Sequence, residues 1–294
     1  MATHLLEHIQ NQGENHINEI DGIYLALKSN LKDSDITTIV PAKDRPKQLR
    51  STLLHLIASA NSTDQKVAIV VVEISPSMEH LHVCRDLGVS YVWVHQLPDR
   101  KFNKCLAHNL GYCFTNSKIL HFHDSDIIME PQFYELFKGY KMTEISVLHC
   151  LREKYVRYLT PEESDTIFEG KTIKELLVYA NPPIPENKKA PGGSIAIGRF
   201  LFELIGGFDA HLFEGYSAED QFFWDKVANI VLIPSMNDND MFHIHHDAER
   251  SHPNGDHLES LKAFEVLKNK GEYYEAAKGL LMKLKAKVNG LQGV

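Results

Sequence analysis

Apolar residues in the first half of the chain follow two alternating patterns. Continuous or β-branched apolar runs are typical of buried strands, whereas apolar residues three and four positions apart indicate helices. The runs predict strands at Ile36–Val40, Val67–Val72, Ser90–Val94 and Lys118–His123, and the helical spacing predicts helices at Leu49–Ala60, Met78–Leu87 and Cys105–Phe114. This repeated alternation predicts an α/β fold whose mainly parallel central sheet carries helices on both faces.

The pattern is less regular at the two ends and after the last of these strands. Apolar positions in residues 1–30 predict a helical extension broken near Gly13, and those in residues 257–294 predict two helices. Polar residues 152–187 end in a proline-rich segment and predict a long loop or lid. The predicted organisation is an N-terminal extension, one domain at 31–256, and C-terminal helices that pack on this domain or extend it.

The composition excludes several classes of protein. The 294 residues are 43% hydrophobic and 24% charged, as in ordinary globular proteins. The 31 Lys and Arg residues against 39 Asp and Glu residues give a net charge of −8, which argues against a nucleic-acid partner. No apolar run approaches the ~20 residues of a membrane helix, and the first residues lack a secretory-signal pattern. Four cysteines without a CxxC pair are typical of reduced thiols, so we expect a cytoplasmic protein.

The last predicted helix, Tyr274–Val288, is amphipathic and rich in lysine. This pattern is more typical of a solvated helix face than of a membrane contact. A peripheral membrane anchor is the alternative interpretation, which would place the protein at the cytoplasmic face of a membrane.

Two aspartates, Asp124 and Asp126, directly follow the predicted strand that ends at His123. Ligands of open α/β sheets bind outside the carboxyl ends of the strands. Two carboxylates at this place can chelate one divalent cation, and the cation can in turn hold a diphosphate. Because Asp is also common where strands meet turns, a purely structural role is the alternative.

Histidines cluster at His243, His245 and His246. Imidazole is a suitable ligand for Mn, Zn or Fe. In an extended segment His243 and His245 share one face, whereas in a curled segment His243 and His246 converge. The preceding apolar run Ile230–Ile233 resembles a strand that would bring the cluster to the edge of the sheet, and a polar surface loop is the alternative.

A second acidic pair, Glu219 and Asp220, follows a glycine-rich aromatic turn that begins at Gly206-Gly207. Gly207 is a candidate for positive φ. Carboxylates in the first turn of a helix are stabilised by the helix dipole, which is the structural interpretation. Such a pair can also present a general base to a pocket.

Several separate segments match one family pattern in one order. They are Ile39–Arg45, Phe102–Tyr112, Asp124-Ser125-Asp126, Gly192-Gly193-Ser194, Gly206–Asp209 with Glu219-Asp220, and His243–His246 with Asn254 beyond it. The chain resembles GT-A-type glycosyltransferases, specifically the β-1,4-galactosyltransferase family and related bacterial polysaccharide enzymes such as chondroitin polymerase. The match covers roughly residues 36–254.

This resemblance implies a fold and a reaction. The fold is the GT-A nucleotide-diphospho-sugar transferase fold. The reaction is inverting, metal-dependent transfer of a hexose or N-acetylhexosamine from a UDP-sugar to a hydroxyl of a saccharide or glycoconjugate. The implied cofactor is Mn²⁺, with Mg²⁺ as the alternative.

The resemblance also implies a role for each matching residue. Asp220 is the general base, which at an ordinary pKa of about 3.9 is ionised without special tuning, and Tyr216 and Glu219 line the donor and acceptor sugars. The metal ligands are Asp126, His246 and, where the family has Met, His243. The donor-binding residues are Pro41, Ala42, Lys43, Arg45, Phe102, Lys104, Asp124, Ser125 and Gly193.

The chain departs from the family at several positions. Lys43-Asp44 replaces Arg-Asn, and Tyr216-Ser-Ala replaces Trp-Gly-Gly, which makes the acceptor platform smaller. His243 in place of Met makes the metal site harder, and for this reason Mg²⁺ is retained as an alternative. Ala190-Pro191 replaces two aromatic residues, which leaves room for the 2-acetamido group of an N-acetylhexosamine donor.

Two other enzyme classes remain as alternatives because they can use Asp124, Asp126, His243 and His246 as metal ligands. A nucleotidyltransferase is expected to carry a glycine-rich loop after its first strand, and Pro41–Pro46 contains no glycine. A metal-dependent phosphoesterase would release phosphate from simple esters without any need for UDP.

Overall fold

The structure is a computed structural model, and it describes residues 2–20, 22–96, 101–151, 155–173, 175, 187–189, 192–213, 219–236, 240–247 and 271–292. The helices are α1 (Ala2–Asn18), α2 (Pro46–Asn61), α3 (Leu81–Leu87), α4 (Lys104–Cys113), α5 (Phe133–Gly139), α6 (Pro161–Phe168), α7 (Arg199–Leu204), α8 (Glu219–Ala228) and α9 (Glu272–Gln292). The strands are β1 (Ile23–Ala26), β2 (Ile36–Ala42), β3 (Val67–Ser75), β4 (Ser90–His95), β5 (Ile119–His123), β6 (Ile127–Met129), β7 (Val147–His149), β8 (Tyr155–Tyr158), β9 (Asn187–Lys189), β10 (Ser194–Gly198) and β11 (Met241–His243).

The central sheet of the described chain has seven strands in the order β1-β4-β3-β2-β5-β10-β7. β4, β3, β2 and β5 are mutually parallel, and β1 and β10 join this group in antiparallel orientation. Every residue of β2 is buried, as expected for a strand covered on both faces. The predicted α/β fold with a mainly parallel sheet is therefore confirmed.

Apolar residues of the sheet pack into two layers, one on each face. Neighbouring residues of one strand alternate between the layers, so that Ile39 and Val70 belong to one cluster and Val40 and Val71 to the other. The first cluster is completed by α4, α8 and α9, and the second by α2 and α5. The four cysteines are buried in these layers and are not paired in disulfides.

A smaller second sheet has the order β6-β11-β8-β9 among the described residues. The polar pattern predicts a long loop over residues 152–187. This prediction is wrong for the described part, because that part forms β8, α6 and the start of β9. The sequence does contain a signal for α6, because Thr160 and Glu163 form a reciprocal capping box. Residues 152–154, 174 and 176–186 of the predicted lid lie outside the described residues.

The N-terminal segment also differs from its prediction. Helix α1 continues through Gly13, and Ile23–Ala26 forms the edge strand β1 instead of helix. A Cβ atom at Gly13 would lie 2.5 Å from Leu280 Cδ1, so this glycine permits the close approach of α1 to α9 and does not break the helix.

The strand predicted at Ile230–Ile233 is not formed. Helix α8 ends at Ala228, and the side chain of Leu232 is 94% exposed. Ser235, further along, makes an isolated bridge to His149. Val231 and Ile233 are half-buried against the main core, so this run is a surface connection that packs on the core without forming a strand. The histidines reach the site by a different route.

The amphipathic C-terminal helix is confirmed as part of α9, whose apolar face packs on α1 and α4. The lysines on its other positions contact protein groups: Lys285 Nζ lies 3.1 Å from Tyr112 Oη, Lys287 Nζ donates to the Asn18 carbonyl at 3.0 Å, and Lys283 pairs with Glu14. Residues 257–270, which include the other predicted helix, lie outside the described residues. No helix in the described ranges combines the length and hydropathy of a membrane span. The three-part division of the chain stays a prediction.

Candidate active site

The acidic turn Asp124-Ser125-Asp126 connects β5 of the central sheet to β6 of the second sheet. The turn is held from two sides, because the Asp124 amide donates to the Gly193 carbonyl at 2.8 Å and the Thr52 hydroxyl donates to the Ser125 carbonyl at 3.0 Å. The buried His123 side chain also stabilises the turn, because its Nε2 lies 3.0 Å from the Ile127 carbonyl and its Nδ1 lies 3.1 Å from the Ser194 hydroxyl. Burial lowers the pKa of His123 to about 4, so the ring is neutral and donates to the carbonyl.

The histidine segment reaches this turn through β11. β11 pairs with β6 in antiparallel register, which sets His243 opposite Ile127, and the Ile244 amide donates to the Asp126 carbonyl at 2.8 Å. Of the two arrangements that the sequence left open, the curled one occurs. His246 Nε2 lies 3.2 Å and His243 Nε2 lies 3.7 Å from carboxylate oxygens of Asp126.

His245 takes no part in this cluster. Its side chain is 42% exposed and lies 3.9 Å from Asp247, and its backbone amide is bound by the Ser164 hydroxyl. Its carbonyl accepts a hydrogen bond from Gln48 at 3.2 Å. The backbone of His245 is thus fastened to α2 and α6, and this leaves the neighbouring His246 ring directed at Asp126.

Asp126, His243 and His246 fit a divalent metal. One ligand atom from each lies within 4.8 Å of those of the other two. Two imidazoles and one carboxylate form a donor set that suits Mn²⁺ and other first-row transition metals. Burial lowers the pKa of His243, which keeps the ring in the neutral form that binds metals. Burial by itself would raise the pKa of Asp126, but His243, His246 and Arg45 outweigh it and hold this pKa well below its usual range.

Arg45 also contacts Asp126, with Nη1 2.5 Å from Oδ2. The backbone around Arg45 is fixed: Asp44 has a positive φ of 56°, and the Arg45 amide donates to His80 Nε2 at 3.4 Å. His80 in turn lies 3.0 Å from Glu73 at the end of β3, and both side chains are fully buried. This buried pair therefore supports the loop that directs the guanidinium at the metal cluster.

A second charged cluster adjoins the first. Lys104, the first residue of α4, has its Nζ 2.8 Å from Asp124 Oδ1, 3.4 Å from both oxygens of Asp220 and 4.0 Å from Glu219. Glu219 and Asp220 occupy the first turn of α8, as the sequence predicts. The two clusters share the Asp124–Asp126 turn and together contain four carboxylates and two cationic side chains.

The pKa of Asp220 is higher than the ordinary value expected from the sequence. Burial raises it, the nearby Lys104 opposes this increase, and the charge of Asp124 adds to it. The carboxylate is thus a stronger base than an exposed aspartate.

Comparison with solved structures identifies this arrangement of sheets. The crystal structure of the catalytic domain of Drosophila β1,4-galactosyltransferase 7 in complex with xylobiose is similar to the chain at a TM-score of 0.51 and 14% identity, over 78% of this chain and 79% of the other. A structure of a mutant of that Drosophila enzyme with manganese, UDP-Gal and xylobiose has a TM-score of 0.50 and 13% identity, over 76% and 78% of the two chains. The mannosyltransferase of Pyrobaculum calidifontis with GDP-Man and Mn²⁺ has a TM-score of 0.50 and 15% identity, over 100% and 86%.

The chain has the GT-A fold. The fold implied by the sequence resemblance is therefore confirmed. No protein-family model matches the chain, and no curated protein matches its sequence.

In this GT-A fold, four further predicted donor-site residues belong to β2, to the loop that follows it and to the segment before α4. Pro41 and Ala42 are buried at the carboxyl end of β2, Lys43 is half-buried in the loop that follows, and Phe102 packs against the main core just before α4. Tyr216, together with Ala190, Pro191 and Asn254, lies outside the described residues. Their predicted roles therefore stay predictions.

Gly193 and its neighbour Gly192 form the wall of the site next to Asp220. Gly193 has a φ of 84°, and a Cβ atom at Gly192 would lie 1.7 Å from Asp220 Oδ2. Gly192 was not among the predicted site residues, although the Gly-Gly pair in the sequence is a signal for such a close approach.

Tyr158 is a site residue that no motif indicated. Its ring stacks on His243 with centroids 4.5 Å apart, and the side chain is 40% exposed. It reaches His243 because β8 pairs with β11 in parallel register. Tyr158 and His243 are far apart in sequence, so their contact could be recognised only from the pairing of β8 with β11.

Proposed function

We propose that the protein is a metal-dependent, inverting glycosyltransferase. It transfers a hexose or N-acetylhexosamine from a UDP-sugar to a saccharide hydroxyl, with Asp220 as the general base. The observation that carries this proposal is the convergence of two clusters on one turn: a metal-ligand set at Asp126 and a lysine-paired carboxylate at Asp220.

The charges of the site match the needs of a nucleotide-sugar reaction. The departing UDP gains negative charge at its β-phosphate and must be stabilised. Within the described part of the chain, Arg45 and Lys104 are cationic side chains that contact the two aspartates of this turn, Asp126 and Asp124 respectively. A metal held by Asp126, His243 and His246 would add Lewis-acid and electrostatic stabilisation at this diphosphate.

The acceptor hydroxyl needs a base because it is nearly neutral at pH 7. The raised pKa of Asp220 makes it a stronger base and so improves its ability to accept that proton. A single base on the face of the sugar opposite the diphosphate produces direct displacement with inversion. We propose that Glu219, whose side chain is 11% exposed and which precedes Asp220 in the first turn of α8, binds sugar hydroxyls.

The known structures support this class of donor. A mutant of Drosophila β1,4-galactosyltransferase 7 was crystallised with manganese, UDP-Gal and xylobiose, and the Pyrobaculum mannosyltransferase with GDP-Man and Mn²⁺. We propose Mn²⁺ as the cofactor here, with Mg²⁺ as the alternative, and a saccharide or glycoconjugate as the acceptor.

A donor screen tests the function. The protein is incubated with Mn²⁺ and UDP-galactose, UDP-glucose, UDP-GalNAc or UDP-GlcNAc, and release of UDP is followed. We expect release from at least one donor, its loss on metal chelation, and a loss of at least ~10²-fold in Asp126→Asn because a metal ligand is removed. Asp225→Asn, the same substitution further along α8 where Asp225 pairs with Gln221, is the matched control and should retain activity.

Two results would contradict the proposal. Release of phosphate from simple esters without UDP would identify a phosphoesterase. Metal-independent turnover in Asp126→Asn at the wild-type rate would show that the acidic turn is not the metal site.

A further inference from the structure

Arg45 occupies the carboxylate that a metal ion would bind. The guanidinium lies 2.5 Å from Asp126 Oδ2, and His246 Nε2, which belongs to the metal-ligand set, lies 3.2 Å from that same oxygen. The Asp126 side chain is 8% exposed and is the only carboxylate in this set. A cation bound to this carboxylate would therefore displace the guanidinium or share the carboxylate with it, and like charges at such a distance repel strongly.

The loop geometry shows that this contact is built and not incidental. Asp44 adopts a left-handed backbone conformation, which costs a non-glycine residue free energy, directly before Arg45. The amide of Arg45 is bound by His80, which is fully buried against Glu73. The Arg45 side chain is 37% exposed, so the guanidinium can turn toward an incoming ligand without breaking these backbone restraints.

We propose that Arg45 competes with the metal for Asp126 and that the diphosphate of the donor removes this competition. This inference rests on the proposed function and describes how metal binding at the same site is regulated. A diphosphate binds a guanidinium through bidentate charge-assisted hydrogen bonds. It therefore draws Arg45 away from Asp126 and leaves the carboxylate to the metal. Metal and nucleotide then load together, and the site holds the metal weakly when no nucleotide is present.

The test compares the affinity of Mn²⁺ for the wild type and for Arg45→Gln, measured by electron paramagnetic resonance of free Mn²⁺ with no nucleotide present. Coupling free energies between ligands commonly correspond to 5–150-fold changes in affinity. We expect Arg45→Gln to bind Mn²⁺ at least about fivefold more tightly than the wild type. Arg45→Lys, which keeps the charge but not the planar fork, should lie between the two.

Lys104→Gln is the matched control. It removes one positive charge from the same site, but Lys104 contacts Asp124 and Asp220 and not the metal-ligand set. If competition for the Asp126 carboxylate is the cause, the Mn²⁺ affinity of Lys104→Gln rises by less than about half of the factor seen for Arg45→Gln. Equal gains in both variants would overturn the proposal, because general charge repulsion would then be sufficient.

The same titrations are repeated with UDP. Wild-type affinity for Mn²⁺ should rise with UDP by a larger factor than in Arg45→Gln, because the variant has no competing guanidinium to remove. Equal UDP effects, or an unchanged Mn²⁺ affinity in Arg45→Gln, would contradict the competition while leaving the metal site intact. If the wild type binds no Mn²⁺ even with UDP, the proposed function itself fails.

Discussion

Gly192 shows how closely the site is packed at the level of one residue. Its missing side chain makes room for the Asp220 carboxylate, since a Cβ atom would lie 1.7 Å from Oδ2. We expect Gly192→Ala to displace Asp220 and to lower kcat by about 10²-fold, because misplacement by about 1 Å commonly costs that much. UDP affinity, measured by calorimetry, should change little.

Gly139→Ala is the control for this substitution. A Cβ atom at Gly139 meets nothing within 4 Å, so this variant should keep wild-type kcat. Wild-type turnover in Gly192→Ala would show that Asp220 does not need its present position.

The buried Asp220 also predicts the pH dependence of the reaction. Because burial raises its pKa and the base must be deprotonated, kcat should rise with pH through a midpoint above that of an ordinary aspartate and then level off. Lys104→Gln removes the charge that opposes this increase, so its midpoint should move to higher pH. A kcat profile with an ordinary aspartate midpoint, or a downward shift in the variant, would exclude Asp220 as the titrating base.

The residue roles differ in how well sequence could reveal them. Asp126 and His246 belong to short motifs whose residue types favour metal ligation, with a turn and a surface loop as the structural alternatives. The contact between Arg45 and Asp126 spans 81 residues and depends on the conformation of Asp44, for which no sequence pattern exists. The raised pKa of Asp220 is a consequence of burial, and burial of a polar residue cannot be inferred from its neighbours in sequence.

Helix α8 is anchored by an ion pair inside the core. Lys226 Nζ lies 2.8 Å from Asp209 Oδ2 and donates to the Gly207 carbonyl, and Tyr273 of α9 donates to Asp209. Both charged side chains are at most 2% exposed. Lys226→Met leaves Asp209 as an uncompensated buried charge, so we expect the free energy of unfolding in urea to fall by about 3–5 kcal/mol.

Lys138→Met provides the comparison, because Lys138 pairs with Asp64 on the surface. Exposed pairs contribute about 0–1 kcal/mol, and the unfolding free energy should change within that range. A loss below about 1 kcal/mol in Lys226→Met would mean that the buried pair does not anchor α8.

The elements themselves were predictable where one pattern dominates. β2, β3 and α4 follow from continuous apolar runs or regular spacing. β6, β8 and β11 did not, because strands of three or four residues are too short for periodicity to distinguish them from loops. Yet the pairing of β11 with β6 is what joins the histidines to the acidic turn. The run at 230–233 was wrongly predicted as a strand for the same reason, since four apolar residues do not determine secondary structure.

The stability of the whole molecule depends on its last described helix, α9. Tyr273, Leu281, Leu284 and Val288 of α9 are buried in the main cluster together with residues of α4 and the sheet. Each fully buried side chain of this kind contributes about 1.5–3 kcal/mol, so a chain that ends at Gly271 should lose most of its stability. Thermal unfolding of the truncated chain should lack a cooperative transition at the wild-type temperature, and a Tm within a few degrees of wild type would contradict this.

The overall fold was accessible from sequence because alternating strands and helices restrict the topology to few solutions. The order of the motifs then reduced the possible α/β topologies to the GT-A fold, although sequence identity to the solved structures is only 13–15%. What the pattern could not supply is the second sheet and its register, and the geometry of the site depends on both.

The most direct measurement is anomalous diffraction from a crystal grown with Mn²⁺ and UDP. We expect one manganese ion, bound to Asp126, His243 and His246 and to the diphosphate, with the Arg45 guanidinium on a phosphate oxygen. A manganese ion bound elsewhere, or UDP bound away from the Asp124–Asp126 turn, would contradict the proposed function.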